Sequence, residues 1–304
     1  MKKILVLHFS QTGQLTEILN HLTEPLLEND LDFVSLSMKR KFPFPWNADT
    51  FFNEMPETVL EKGEALDTFQ LKHAKYDLIL FGYQPWFLSP SLPASSILQN
   101  PMIQKVMENT PVVTVIGARN MWLNAQESVK KMILANQGQL VGNLAFIDEN
   151  NNLASAVSIL HWMLKGKKEK KWGIFPKPGV SDEHILGASK FGLIIAKILQ
   201  SEKWDQLQPL ILLNQGVKVP TNILFIEQRA KIIFKLWAKL IVKKEEQGRN
   251  RIFWVRFFKY YLVFALFIVA PIVLFVYNLF IRPFSSSKIK QKKTYFCGIT
   301  YNNQ

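Results

Sequence analysis

The feature that most constrains this chain is an alternation across its first half, in which short apolar runs are separated by stretches of helical periodicity. Lys3 to Phe9, Asp32 to Ser37, Tyr76 to Phe81, Pro111 to Ile116 and Gln139 to Ile147 read as strands. Leu15 to Glu28, Glu57 to Lys75, Leu92 to Asn109 and Ala125 to Gln137 read as helices. Strands apolar along their whole length are buried on both faces, and a β-α-β order places consecutive strands parallel. The expectation is an α/β fold with a parallel sheet between two helical layers. Met38 to Asp49 carries Pro43 and Pro45 and reads as a loop.

Charge divides the chain differently. Residues 1–228 hold 22 basic and 22 acidic side chains, whereas residues 229–304 hold 15 and 2, so the whole net charge of +13 lies in the last quarter. That quarter is also strongly apolar, which fits an anionic membrane surface better than a nucleic-acid groove, and no nucleic acid is expected as a partner. Tyr260 to Ile281 is an uncharged run of 22 residues, about 33 Å as a helix, and basic residues bracket it. Pro271 near its middle permits a kink, so spanning and monotopic anchoring both remain open. Arg229 to Lys244 has the pattern of a basic amphipathic helix, either lying on a membrane or docked on the globular part. Cys297 is the single cysteine, so nothing asks for an oxidising compartment. Met1 to Leu7 is explained by a buried strand better than by a signal peptide. The soluble part is expected on the cytoplasmic face of an inner membrane.

Three loops follow strands that would meet at the carboxyl edge of the sheet, where open α/β folds bind ligands. The first is Ser10, Gln11, Thr12, Gly13, Gln14 and Leu15, between strand and helix, where backbone N–H groups and the positive end of a helix dipole can hold a phosphate. Thr16 is a further hydroxyl donor in reach. There is no Walker lysine and no spaced-glycine fingerprint, which disfavours ATP and NAD. The second runs from Gly82 to Pro93; within it Pro85, Trp86 and Phe87 are candidates to line an aromatic ligand. The third contains Gly117, Arg119 and Asn120. Arg119 and Asn120 can either donate to a ligand ring, or Arg119 can form a structural ion pair.

These residues resemble the flavodoxin-like family, whose Ser/Thr-x-Thr-Gly loop is matched by Ser10, Thr12 and Gly13; Gln14 and Leu15 depart from the common Asn-Thr. The resemblance implies a five-stranded parallel sheet of order 2-1-3-4-5 and flavin mononucleotide (FMN) as cofactor. The expected organisation is an FMN-binding domain over 1–149, a helical extension packed on it over 150–228, and a basic amphipathic helix and linker over 229–259. A membrane helix over 260–281 and a basic tail over 282–304 complete it.

The combination of Phe9 to Leu15, Gly117 to Trp122, the Pro-rich stretch at 175–181 and an apolar C-terminus is similar to the bacterial dialkylresorcinol-forming proteins. That resemblance implies a flavin-dependent aromatase that oxidises a dialkyl-cyclohexanedione, made by a partner ketosynthase, to a resorcinol used in aryl-polyene or flexirubin-type pigments. His184, which follows Ser181 as N-cap of a helix running to about Ser201, and Tyr83, at the sheet edge, are the candidate bases. His8, His21, His73 and His161 show no metal-like spacing, and no metal is expected. Two other readings stand beside this one: an NAD(P)H-dependent quinone reductase, and a membrane-bound scaffold without turnover.

Overall fold

The computed structural model describes residues 1–150, 152–168 and 176–301. Asn151, the end of the basic run, the first part of the Pro-rich stretch up to Phe175, and 302–304 lie outside them.

The sheet is built from β1 (Lys3–His8), β2 (Asp30–Ser35), β3 (Leu78–Tyr83), β6 (Pro111–Ala118) and β7 (Gln139–Ile147), with a two-residue hairpin of β4 (Pro85–Trp86) and β5 (Ser89–Pro90) after β3. The order is β2-β1-β3-β6-β7 and every pairing is parallel. Counting only the five sheet strands, this is the 2-1-3-4-5 order of the flavodoxin-like fold, whose switch point lies between β1 and β3. Ile4, Leu5, Leu78, Leu80, Val113 and Val115 are wholly buried, as strands covered on both faces require.

The helices are α1 (Gln14–Thr23), α2 (Ala48–Asn53), α3 (Met55–Val59), α4 (Leu92–Leu98), α5 (Pro101–Met107) and α6 (Leu123–Ala135) within the α/β body. They are followed by α7 (Asn152–Lys165), α8 (Asp182–Leu186), α9 (Ser189–Ser201) and α10 (Leu207–Leu213). The expected helix from Glu57 to Lys75 is a single short turn. Glu61 takes a left-handed backbone, and beyond it Met38 bridges Leu66 in extended pairing, with Lys39 N donating to Ala65 O and Asp67 N to Ser37 O. Leu92 to Asn109 is two helices, broken where Asn100 caps α5 ahead of Pro101. Ser181 caps α8 through its hydroxyl, and the helix restarts as α9 before ending at Ser201.

The last quarter is a helical hairpin. Helix α11 (Thr221–Glu246) runs through residue 228, the expected domain boundary, and turns at 247–250. It returns as α12 (Arg251–Phe264), a π-helical turn (Ala265–Val269), α13 (Ala270–Val276), a second π turn (Tyr277–Ile281), a short 3-10 turn (Arg282–Ser285) and α14 (Ser286–Cys297). The amphipathic helix is docked on the α/β body. Glu227 is fully buried against the start of α6, where Asn124 N donates to its Oε1 at 2.8 Å. Lys231 bonds Glu61 at 3.1 Å and Ser89 at 2.6 Å.

Candidate functional site

A cavity of about 390 Å3 lies at the carboxyl edge of the sheet. Its polar end is bounded by Gln11, Thr12, Gln14, Gln84 and Arg119, and its apolar end by α11 and the Tyr261–Ala270 stretch of the returning helix.

The polar end is the loop between β1 and α1. Gly13 sits at the N-cap with φ of 83°, a left-handed conformation that suits glycine, and a side chain there would meet nothing within 4 Å. No side chain caps α1, so its first-turn N–H groups lack intrahelical acceptors. The Ser10 hydroxyl and Gln11 Oε1 are buried with no hydrogen-bond partner among the described residues. Buried polar atoms without partners are costly; an anion accepting from the Ser10 hydroxyl and the first-turn N–H groups relieves that cost at the donors, while Gln11 Oε1 is an acceptor that calls for a donor group of a ligand. Thr16 is committed elsewhere: its hydroxyl bonds His8 Nε2 at 2.9 Å inside the core. Burial holds His8 down at about 4, so that ring is neutral near pH 7.

The loop is held from outside by the extension. Gln14 donates through Nε2 to Val180 O at 3.0 Å and accepts at Oε1 from Val180 N at 2.9 Å. The Gln14 side chain is thus engaged by the chain itself, where sequence reasoning placed it on the cofactor. Gly179, also left-handed at φ 88°, lies so close that a Cβ would stand 2.5 Å from Gln14 Oε1. Trp162 of α7 and Gly179 close over this end of the cavity.

The second wall is the β4–β5 hairpin. Phe87 and Leu88 both take positive φ, 47° and 62°, the requirement of a two-residue type I′ turn that normally selects Asn-Gly. Two large apolar residues there cost about 1–3 kcal/mol each. Helix α11 offsets this, because Lys231 Nζ donates to Leu88 O at 3.2 Å as well as to Ser89. Pro85, Trp86, Phe87 and Leu88 all line the cavity. Trp86 also packs edge-on against Phe9, Phe42 and Trp46, so it is simultaneously a cavity wall and part of a small aromatic core.

The third wall follows β6. Gly117, Ala118, Arg119 and Met121 line the cavity, and Asn120 is buried beside it. Burial lowers the Arg119 guanidinium to about 10, partly offset by the Asp148 carboxylate. It remains a cation at neutral pH. Asp148 is itself held by Ser155 Oγ at 2.6 Å and by Asn150.

The two candidate bases do not border this cavity. Tyr83 is fully buried, stacked on Phe81, and its hydroxyl donates to Gln126 Oε1 at 2.7 Å; Gln126 continues to Thr114 and Asn143. Burial pushes its pKa well above the ordinary tyrosine value, which removes it as a base. The alternation of β3 points the Tyr83 side chain into the core. His184 lies on the outer side of α8, 3.7 Å from Glu149. A capped helix start is legible in sequence, but the direction its histidine faces is not.

Sequence reasoning missed Gln84, whose Oε1 accepts from Gln11 N at 3.3 Å and ties the first two loops together. It also missed Phe51, Trp162, Phe234 and the Tyr261–Ala270 stretch. Gln84 was within reach, being next to Pro85; the others come from distant elements that no local pattern links.

No protein-family model matches this sequence, and no curated protein matches it. Among solved structures, a flavoprotein in complex with FMN from Lactobacillus acidophilus NCFM is 15% identical, with 47% of this chain and 92% of that chain covered and a TM-score of 0.38. A putative flavoprotein from Bacteroides uniformis ATCC 8492 is 17% identical, with 54% and 99% covered at 0.36. A flavodoxin from the domain Archaea is 10% identical, with 65% and 99% covered at 0.33. These likenesses are too distant to speak to chemistry, and the fold class stands on the strand order described above.

Proposed function

We propose that this protein is a membrane-associated, FMN-dependent oxidoreductase acting on an apolar cyclic substrate. The reaction proposed is oxidative aromatisation of a dialkyl-cyclohexanedione to a dialkylresorcinol, on the cytoplasmic face of a membrane and downstream of a ketosynthase. The observation that carries this reading is the cavity's division: an anion cradle with an orphaned buried Ser10 hydroxyl at one end, a mainly apolar chamber at the other, and a partly buried cation, Arg119, on the polar side.

The residues present fit FMN. Ser10, the Thr12 and Gly13 backbone and the first turn of α1 would hold its phosphate, with Trp86, Phe87, Met121 and Trp162 offering apolar walls for its ring. Bound there, the flavin supplies a hydride acceptor. Converting a cyclohexane-1,3-dione to a resorcinol removes one hydride and one proton. The dione is itself a weak acid whose enolate carries the negative charge, so Arg119 would hold and orient that anion. The one proton removed is the acidic proton given up in forming the enolate. After hydride loss the resulting dienone becomes the resorcinol by moving a ring proton from carbon to oxygen, a tautomerisation driven by aromaticity that does not demand the strong base that Tyr83 and His184 fail to provide. The Trp162 and Gly179 cover and the Phe87 turn exclude water from the reacting ring.

The test is to purify the full chain in mild detergent, add FMN, remove the excess and record the visible spectrum, then mix anaerobically with a 5-alkyl-cyclohexane-1,3-dione. A retained flavin bleached by the dione supports the proposal. Bleaching by NAD(P)H alone would point instead to a quinone reductase, and a folded colourless protein to a scaffold.

A further inference from the structure

The run from Arg251 to Cys297 holds a helix long and apolar enough to cross a bilayer, yet both of its ends are bonded to the same α/β body. At the start, Arg251 donates to Asn53 at 2.8 Å, to both oxygens of Glu57 at 3.0 and 2.6 Å, and to Glu245 at 2.7 Å. Further along α12, Arg256 and Lys259 reach Asp49. At the far end, Tyr295 donates to Glu127 at 2.5 Å, Gln208 to Cys297 O at 2.7 Å and Lys130 to Thr300 O at 3.2 Å, and Phe296 is buried in the main core. Midway, Tyr277 stacks on Phe225 of α11 with ring centroids 3.7 Å apart. A spanning helix puts its ends on opposite faces of a hydrocarbon layer about 30 Å thick. One body bonded at both ends and in the middle cannot straddle that layer.

Between residues 260 and 281 the outward face of this run carries no charge and is strongly apolar. Phe264, Ile268, Ile272, Phe275, Leu279 and Phe280 are each half or more exposed, and burying such side chains is worth about 1.5–3 kcal/mol apiece. Lys235 and Lys239 stand exposed on α11 beside Ile232 and Leu236. A basic groove of about 620 Å3, lined by Arg282, Lys290 and Lys293, opens where the apolar face ends. An apolar stripe bordered by basic side chains that form no ion pair among the described residues is complementary to one leaflet of an anionic bilayer. The inner face of the same run, from Tyr261 to Ala270, walls the cavity together with Ala230 and Phe234 of α11. Its π-helical turn, Ala265–Val269, falls in that wall.

We propose that the apolar face of residues 260–281 inserts monotopically into a single leaflet, and that the chamber walled by Tyr261 to Ala270 takes the hydrocarbon chain of a molecule dissolved in that leaflet. The assignment of this molecule as a redox substrate rests on the function proposed above; the topology and the chain site do not.

The topology is tested in a Cys297→Ser background with Gln247→Cys or Ser287→Cys, two exposed positions flanking the apolar stretch. An impermeant maleimide is added to right-side-out and inverted membrane vesicles. Labelling of both cysteines from the same face is expected; labelling from opposite faces overturns the proposal. The chain site is tested with the full protein in detergent by fluorescence titration of pyrenedecanoic acid. Ala270→Trp and Ala230→Trp, on opposite walls, should each weaken binding at least tenfold while the melting transition is kept; undiminished binding in both overturns the chain site. Flavin absorbance recorded on the same samples separates the two readings: probe binding without flavin leaves this inference standing and defeats the redox function.

Discussion

The two ends of the cavity are assembled in opposite ways. The cradle at the polar end comes from six consecutive residues, Ser10 to Leu15, at a strand–helix junction, and its geometry is set mainly by local backbone: a left-handed Gly13, an uncapped helix start and buried hydroxyl and amide oxygens, with Gly179 packed against it from the extension. The apolar end comes from Phe51, Phe87, Phe234 and Leu266, which meet only because a helical hairpin returns across the α/β body. On the proposed reading, a ligand's charged group would be held by rigid backbone dipoles, and its apolar part by side chains on elements that a bilayer would also contact. One end gives fixed geometry; the other gives room and access.

Breaking the polar end should have the largest effect. Gly179→Val places a β-branched residue at φ 88° and drives its Cβ into Gln14, so it should cost about 4 kcal/mol. Urea denaturation would show this, with FMN affinity lost alongside.

Glu227 joins the two ends, because α11 carries it to the start of α6. Burial raises its carboxyl to about 7, against the pull of the α6 amides. The folded pKa lies above the ordinary carboxylate value, so the native state holds the proton between pH 4.5 and 7. Stability from this group is full below that window and is lost as pH rises through it. The loss is about 3 kcal/mol, and Glu227→Gln should flatten the profile when denaturation midpoints are compared from pH 4 to 8.

Releasing the apolar end should be milder. Arg251→Ala leaves Glu57 without its cation and unties α12 from α2 and α3. Because the site is partly exposed, a cost of about 2 kcal/mol is expected. FMN affinity should hold while pyrenedecanoic acid binding weakens, a divergence that would sharpen the contrast between the two ends.

The smallest effect concerns the cation between them. Arg119→Ala should leave phosphate binding intact and move the flavin midpoint potential negative by about 20 mV, the two-electron equivalent of roughly 1 kcal/mol. A spectroelectrochemical titration reads this directly, and an unchanged potential would remove Arg119 from the ring.

Much of the fold was legible because parallel strands buried on both faces leave continuous apolar runs, and β7 occupies the residues its pattern marks. Strand β2 begins two residues before the expected Asp32 and ends at Ser35 rather than Ser37; at its start the Asp30 carboxylate is bonded by His73 and that of Asp32 by Tyr76 and Lys72. The phosphate-type loop was legible for the same local reason. Tyr83 and His184 were misplaced because a residue's type and its position in an element do not reveal which way a loop or a strand end turns its side chain.

The sequence by itself determined the alternating α/β body, the Ser10–Gly13 cradle and the existence of a long apolar helix with basic flanks. Each is written in residues close together in the chain, where periodicity, backbone propensity and charge act directly. Only the tertiary structure decided that Gln14 serves Val180, that α11 buries Glu227 and clamps the Phe87 turn, and that both ends of the apolar helix return to one body. Those outcomes depend on hydrogen bonds and packing between residues 100 or more positions apart, and such pairings leave no period in a sequence.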